Sequence, residues 1–345
     1  MSPTNRASWL SAKQSPVNVV DTAPYTSPVT NELVIRTKAI ALNPADVLVQ
    51  QLGMLLTHYP AILGCDVAGE VVEVHDSLSD TYQVGDRVTG ATSCLSLRDE
   101  KYCYSGFQEY VVLRAPSIAK IPKNVGYEES AVLPLGMNTA ASCLFSDTSL
   151  NLHLRLGESV PVEKRQTLLV WGASGSVGSC GVQLATHAGY DVVGVASAKN
   201  HEMVKQLGAS ACFDQNDPNV IDDIVQHLKD KNIVGAFCTI GVEAVLDSLC
   251  EILSRTDGRK LVGSVIPGAE KRSAKGVAIV TNFSVDIHKN TFMRPLWDWI
   301  TRAMEENQLK YMPQPEVVGK GLEDVQKGVD LLAKGVSAKK LVISL

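Results

Sequence analysis

Three glycines spaced three residues apart stand in Trp171-Gly172-Ala173-Ser174-Gly175-Ser176-Val177-Gly178, after the apolar run Gln166 to Gly172 and ahead of an amphipathic stretch, Val177 to Tyr190. A strand that turns into a helix through small residues lets backbone N–H groups and the positive helix end meet a pyrophosphate. Ser174, Gly175, Ser176 and Val177 are therefore candidate dinucleotide contacts, with a purely structural glycine turn as the alternative.

The end of the next apolar run bears on which dinucleotide. A site for NAD usually places Asp or Glu there to bond the ribose 2′-hydroxyl, whereas a 2′-phosphate needs donors and positive charge. Here the run ends Val195-Ala196-Ser197-Ala198-Lys199-Asn200, with no acid. Ser197 can donate a hydrogen bond and Lys199 can pair with phosphate, so NADPH is the expected cofactor. The alternative for Lys199 is a solvated residue at a helix start. Partners for a nicotinamide ring come from the ends of later strands. Ile240 and Gly241, after Thr239, and Gly263 with Ser264 are the candidates, each with an ordinary turn as its alternative.

Other chemistry-bearing residues point elsewhere. The eight cysteines, Cys65, Cys94, Cys103, Cys143, Cys180, Cys212, Cys238 and Cys250, show no CxxC and no Cys/His pair at metal-ligand spacing, so they read as reduced, mostly buried thiols and no metal site is expected. His58 and His75 flank Cys65 at a spacing that fits no ligand set, and His75 runs into the polar turn Asp76 to Asp80, which favours the surface. Trp297 and Trp299 with Met293 and Ile300 read as helix core or interface rather than a substrate box, and Phe292 is a candidate wall for an acyl chain.

The elements that must position these residues fall into two styles. Short β-branched runs separated by turns, Glu32 to Asn43, Gly69 to His75, Val84 to Gly90 and Phe107 to Arg114, suggest a β-rich, barrel-like domain. From about residue 136 strands and helices alternate: strands end near Gly172, Ser197, Asp214, Thr239 and Ile266, with helices between them, which means βαβ units and a doubly wound parallel sheet. The tail carries a helix from Pro295, a Pro-broken connector at Tyr311 to Val318, a helix around Gly321 to Gly335 and a final strand from Lys340. The stretch Asp147 to Arg165 has no clear period and reads as a surface insertion.

A length of 345 residues gives a prior of about two domains. Apolar residues make up 45% and charged residues 20%, as in folded globular proteins. With 32 basic and 37 acidic residues, a net charge of −5 and no Lys/Arg block, binding to nucleic acid or to an anionic membrane surface is not expected. No run reaches the roughly 18 apolar residues of a spanning helix, and the start lacks a secretory apolar region, so a cytoplasmic location is expected.

Taken together, the motifs resemble the medium-chain dehydrogenase/reductase superfamily over nearly the whole chain. The resemblance is carried by Asn43-Pro44-Ala45-Asp46, by Tyr59-Pro60-Ala61-Ile62-Leu63-Gly64-Cys65-Asp66-Val67-Ala68-Gly69, by Val84-Gly85-Asp86-Arg87-Val88, by Leu133 to Ala140, by the phosphate loop, and by Lys339-Lys340-Leu341-Val342. It implies an α/β protein with a GroES-like catalytic domain, residues 1–135 and 310–345, and a Rossmann NADPH-binding domain, residues 136–309. Zinc alcohol dehydrogenases of this superfamily carry a Cys where this chain has Asn43 and a His-Glu pair where it has Cys65-Asp66. The segment Cys94 to Cys103 also lacks their four closely spaced cysteines. Without a Lewis acid, polarising an alcohol oxygen for hydride transfer is hard, so the chain is similar to the zinc-independent branch, whose members reduce quinones or activated C=C bonds.

Within that branch it most resembles fungal enoyl reductases that act in trans on polyketide synthases in secondary metabolism. The resemblance implies a small-molecule or carrier-bound acyl substrate, a synthase as a partner, and either a monomer or a homodimer. A quinone reductase and a non-catalytic NADPH-binding accessory protein remain the other readings. Asn200 and Gln215 match cofactor contacts of the family, and Asn43, Asp46 and Thr139 match positions near the nicotinamide. On their own, Asn43 reads equally as a turn residue before Pro44, Asp46 as a helix N-cap and Thr139 as a cap of the helix it opens. Mitochondrial-type enoyl reductases carry a Tyr proton donor where this chain has Gly53-Met54-Leu55. No general acid is marked, and a proton from solvent is one source.

Overall fold

The computed structural model describes residues 3–53, 55–56, 58–94, 101–157, 161, 166–282 and 290–345. The first stretch contains β1 (Asn5–Leu10), β2 (Val17–Ala23), β3 (Glu32–Ala41), α1 (Pro44–Leu52), β4 (Ala61–Ile62), β5 (Asp66–Val74), β6 (Arg87–Ala91), β7 (Tyr110–Arg114), β8 (Ile118–Lys120), α2 (Tyr127–Ser130) and α3 (Pro134–Phe145). It continues with β9 (Thr167–Trp171), α4 (Ser176–His187), β10 (Asp191–Ala196), α5 (His201–Gln206), β11 (Ala211–Asp214), α6 (Val220–His227), β12 (Ile233–Cys238), α7 (Glu243–Ser254), β13 (Leu261–Ser264) and β14 (Ala278–Thr281). The last part adds α8 (Met293–Glu305), β15 (Gln314–Lys320), α9 (Val325–Ala333) and β16 (Lys339–Ser344).

The chain divides into two compact units, Met1–Leu135 with Met293–Leu345, and Gly136–Phe292. The return to the first unit thus comes at residue 293 rather than 310. Helix α8 belongs to the first unit because Leu296, Trp297, Trp299 and Ile300 are buried and the helix packs against β8. Its apolar stripe is clear in the sequence, but a stripe does not say which sheet it covers.

The first unit is β-rich. One sheet runs β15-β16-β3-β5-β6-β8 with β7 also paired to β3, and a smaller one runs β2-β1-β4. Leu33, Ile35 and Ile40 of β3 meet Val67 and Val71 of β5, Phe107 and Ile343 in one buried cluster. The expected connector at residues 311–318 is in fact largely strand: β15 pairs in parallel with β16. It is an edge strand, where the missing N–H of Pro315 need not cost a ladder bond. Strands β1 and β2 alternate only weakly in sequence, so residue pattern alone does not mark them.

The second unit is a six-stranded parallel sheet in the order β11-β10-β9-β12-β13-β14, the Rossmann order with its reversal between β9 and β12. Near-continuous apolar strands such as β9 and β12, buried at every position, reflect helices on both faces. The start of the expected surface insertion is core: Ser149, Leu150 and Leu152 are buried, and the Arg259 guanidinium donates to the Leu150 carbonyl. Residues 158–160 and 162–165 of that stretch, and Met54, lie outside the described residues. Among the described residues no helix is long and apolar enough to cross a membrane.

Candidate functional site

The sheet register of the second unit gathers the cofactor candidates on one edge. Trp171 is level with Val195 and with Cys238, Cys238 with Ser264, and Ala196 with Asp214. The segments after these residues therefore leave the carboxyl ends of neighbouring strands side by side, at the point where strand order reverses.

The turn after β9 is set by backbone contacts. Gly172 has φ of +87°, and its N–H and that of Ala173 both donate to the Val195 carbonyl, at 3.0 and 3.1 Å. A Cβ on Gly178 would lie 2.0 Å from the Gly172 carbonyl oxygen, so only glycine lets helix and turn close together. At Gly175, the N-cap of α4, an added Cβ would touch only the Gly172 oxygen at 3.4 Å, and the residue is exposed. The open side of the turn is thus a cradle of bare backbone beside the positive end of α4, which fits a pyrophosphate. Ser174, Ser176 and Val177 are half-buried around it.

Beside this cradle, Asn200 Nδ2 donates to Ser174 Oγ at 3.3 Å, tying the end of β10 to the turn. Gln215 Nε2 donates to Ser197 Oγ at 3.2 Å, and Gln215 N donates to the Ala196 carbonyl at 3.1 Å. Lys199 is exposed. Ser174, Ser197, Lys199, Asn200 and Gln215 therefore share one corner. After β12, Thr239 Oγ1 donates to the Trp171 and Gly172 carbonyls at 3.1 and 3.2 Å, Ile240 is half-buried and Gly241 exposed. Gly263 and Ser264 sit deeper, inside β13. Gly263 is flat against Leu150 and Ser149, and the fully buried Ser264 accepts from Ile266 N at 3.1 Å.

The first unit holds a separate buried polar cluster. Lys340 Nζ, on β16, donates to Asn43 Oδ1 at 2.6 Å and pairs with Asp66 Oδ2 at 2.9 Å. Asn43 Nδ2 donates to the same Asp66 oxygen at 2.8 Å, and the other Asp66 oxygen accepts from Leu135 N at 2.6 Å. All three side chains are under 5% exposed, and every charged group has an opposite charge or several donors, which is what makes such burial tolerable. Asn43, not Asp46, is the N-cap of α1. Asp46 stands at the third helical position and reaches back to accept from Asn43 N at 2.8 Å, because a carboxylate one turn in satisfies the cap residue's own N–H. Burial, with help from the Asp66 charge, pushes the Asp46 carboxyl up to about 7, against the pull of its backbone bonds and of Lys340.

Thr139 lies in the second turn of α3, buried, and does not open that helix: the start is at Pro134, where Asp66 takes the Leu135 N–H that a cap residue would take. Lys340 and Asp66 are partners that sequence reasoning did not join. The one signal was a lysine inside an apolar final strand.

The donors at the zinc-ligand positions of the resembled dehydrogenases are an amide, Asn43, a thiol, Cys65, and a carboxylate already held by an ammonium, Asp66. Zinc wants thiolate, imidazole or free carboxylate. Among the described residues no three His, Cys, Asp or Glu side chains are grouped to hold a metal ion, so this donor set does not fit zinc. His58 is exposed, and His75 Nδ1 accepts from Ser77 N at 3.1 Å in its turn. Trp297 and Trp299 are core, and the Phe292 ring meets Phe145 edge-on at 6.3 Å.

Comparison with known proteins extends this picture. Residues 29–123 match the alcohol dehydrogenase GroES-like domain and residues 176–301 the zinc-binding dehydrogenase family. The dehydrogenase pigH of Monascus ruber is 36% identical over 99% of this chain and 100% of its own length. The trans-enoyl reductase himH of Aspergillus japonicus is 34% identical over 91% of this chain and 90% of its own. Among solved structures, the CurK enoyl reductase superposes with a TM-score of 0.74 at 19% identity, covering 99% of each chain, a likeness of fold.

Proposed function

Because the chain belongs to the medium-chain dehydrogenase/reductase superfamily, in its enoyl-reductase branch, we propose that this oxidoreductase uses NADPH, without zinc, to reduce the activated C=C bond of an enoyl thioester or related α,β-unsaturated carbonyl. The observation that carries the cofactor choice is the corner after β10, where Ser197, Lys199 and Gln215 offer donors and positive charge and residues 195–200 contain no carboxylate. The chemistry on C=C rests on the name of the himH relative and on the donor set at Asn43, Cys65 and Asp66, which does not suit zinc as a Lewis acid.

When bound, the reduced nicotinamide supplies a hydride to the electron-poor β-carbon. The chain's own residues bind and orient. Lys199 and Ser197 hold the 2′-phosphate, the bare turn at Gly175 and the start of α4 meet the pyrophosphate, and Ile240 offers an apolar floor beyond β12. Solvent supplies the proton at the α-carbon, since the Asp46 carboxyl is engaged by the backbone N–H groups of both Asn43 and Gly64. The substrate is an acyl thioester, free or on the carrier of a polyketide synthase.

Turnover is read as loss of NADPH absorbance with enoyl thioesters, with and without a carrier protein, and with a quinone panel. Reduction of thioesters supports the reading. Reduction of quinones alone replaces it, and tight NADPH binding with no turnover marks a binding protein instead. Lys199→Ala is expected to weaken NADPH binding by about tenfold to a hundredfold, the scale of a hydrogen bond to a charged group, and to leave NADH binding unchanged. Equal effects on both would sink the 2′-phosphate assignment.

A further inference from the structure

Cys65 and Cys94 bring their sulfurs to 3.1 Å although neither belongs to the cofactor corner. Cys65 is fully buried at the entry to β5, and Cys94 is half-buried in the turn beyond β6. The backbone fixes this approach from several sides. Thr92 N donates to the Cys65 carbonyl at 2.8 Å, Thr92 Oγ1 donates to the Gly64 carbonyl at 2.8 Å, and Cys94 N reaches the same hydroxyl at 3.4 Å. One threonine therefore holds both cysteine segments, and Gly106 N donates to the same Gly64 carbonyl at 2.8 Å. Closing the gap to a sulfur–sulfur bond of about 2.05 Å asks for a shift of roughly one ångström.

We propose that Cys65 and Cys94 form a reversible thiol–disulfide site for a low-molecular-weight disulfide such as glutathione disulfide. The proposal does not depend on the reductase reading. The Cys94 thiolate, the more accessible sulfur, attacks one sulfur of the glutathione disulfide and expels one glutathione thiolate. The Cys65 thiolate then attacks the Cys94 sulfur of the mixed disulfide and expels nothing but the second glutathione thiolate. Two protein thiols are oxidised by two electrons, the small disulfide is reduced to two glutathiones, and the two protons released by the cysteines are taken up by those thiolates. The hydrogen bond to Cys94, burial and the nearby charges of Asp46 and Asp66 all hold the Cys65 thiol well above its ordinary range, which makes it the slow, resolving partner rather than the attacker. The product would tie the entry of β5, one residue before Asp66, to the turn after β6.

The test uses the full chain in its native state, exposed to glutathione disulfide, quenched with N-ethylmaleimide and digested with trypsin without reduction. Cleavage at Lys38, Arg87 and Arg98 separates the two cysteines into peptides 39–87 and 88–98. The expected result is a linked pair of these peptides as the main cross-linked species among the eight cysteines, one that dithiothreitol abolishes. Cys65→Ser is expected to leave glutathione trapped on Cys94. Unlinked, alkylated peptides from the native wild-type chain, or glutathione persisting on its Cys94, would overturn the proposal, and neither outcome depends on a variant folding.

Discussion

Lys340 places its ammonium in a site 3% exposed, on the carboxylate of the fully buried Asp66. Removing the lysine leaves that carboxylate uncompensated, so Lys340→Met is expected to cost about 3–5 kcal/mol in equilibrium urea unfolding. Adding Asp66→Asn should restore part of the loss, because the orphaned charge is then gone. Asp46 gives a pH test of the same cluster, faced by Asp66, Lys340 and Cys65. Its folded pKa, about 7, lies above the ordinary aspartate value of 3.8, so the folded state favours the protonated form. Its contribution is full below about pH 4 and is lost as pH rises through about 7. Unfolding free energy should therefore fall across that window by an amount up to about 4 kcal/mol, and Asp46→Asn should flatten the slope. Asn43 and Asp46 were legible in the sequence as polar residues at a helix start. The partner of Asn43, 297 positions away, was not, because residue spacing carries no information on which distant strand closes over a site.

At the scale of elements, the turn between β9 and α4 separates glycines that shape the fold from the one that shapes the ligand site. Gly178→Ala forces a methyl against the Gly172 carbonyl and is expected to cost about 3 kcal/mol or more in thermal unfolding without cofactor. Gly175→Ala meets almost nothing and should leave that stability within about 0.5 kcal/mol, while cofactor affinity falls because the methyl occupies the open cradle. The parallel sheet was readable because its strands are buried on both faces and punctuated by helices. Strand β15 was hidden by Pro315 and by a bulge between Val317 and Gly319, both of which break the alternation that betrays a strand.

For the whole molecule, the sequence reached two units and the insertion of one into the other, but placed the return point at 310. Amphipathic helix α8 belongs equally well to either side until its buried face has a partner. The donor set at the first unit's polar cluster makes a global test simple. Dialysis against a zinc chelator should leave enoyl turnover unchanged, and elemental analysis of active protein should find zinc well below one equivalent. Stoichiometric zinc, or activity lost with the metal, would bring back an alcohol dehydrogenase.

Strand β16 lies between β15 and β3, so the sheet of the first unit joins residues 32–41 to residues 339–344. A ribosome delivers residues 32–41 long before residues 339–344. The second unit, continuous from Gly136 to Phe292, has all its strands in hand while β3, already paired with β5 and β7, still lacks β16, and domains fold as units when their chain is available. Until Lys340 emerges, Asp66 waits without its counter-charge and Asn43 without its donor, so the order of translation withholds the polar cluster of the first unit until the last strand of its sheet has been made.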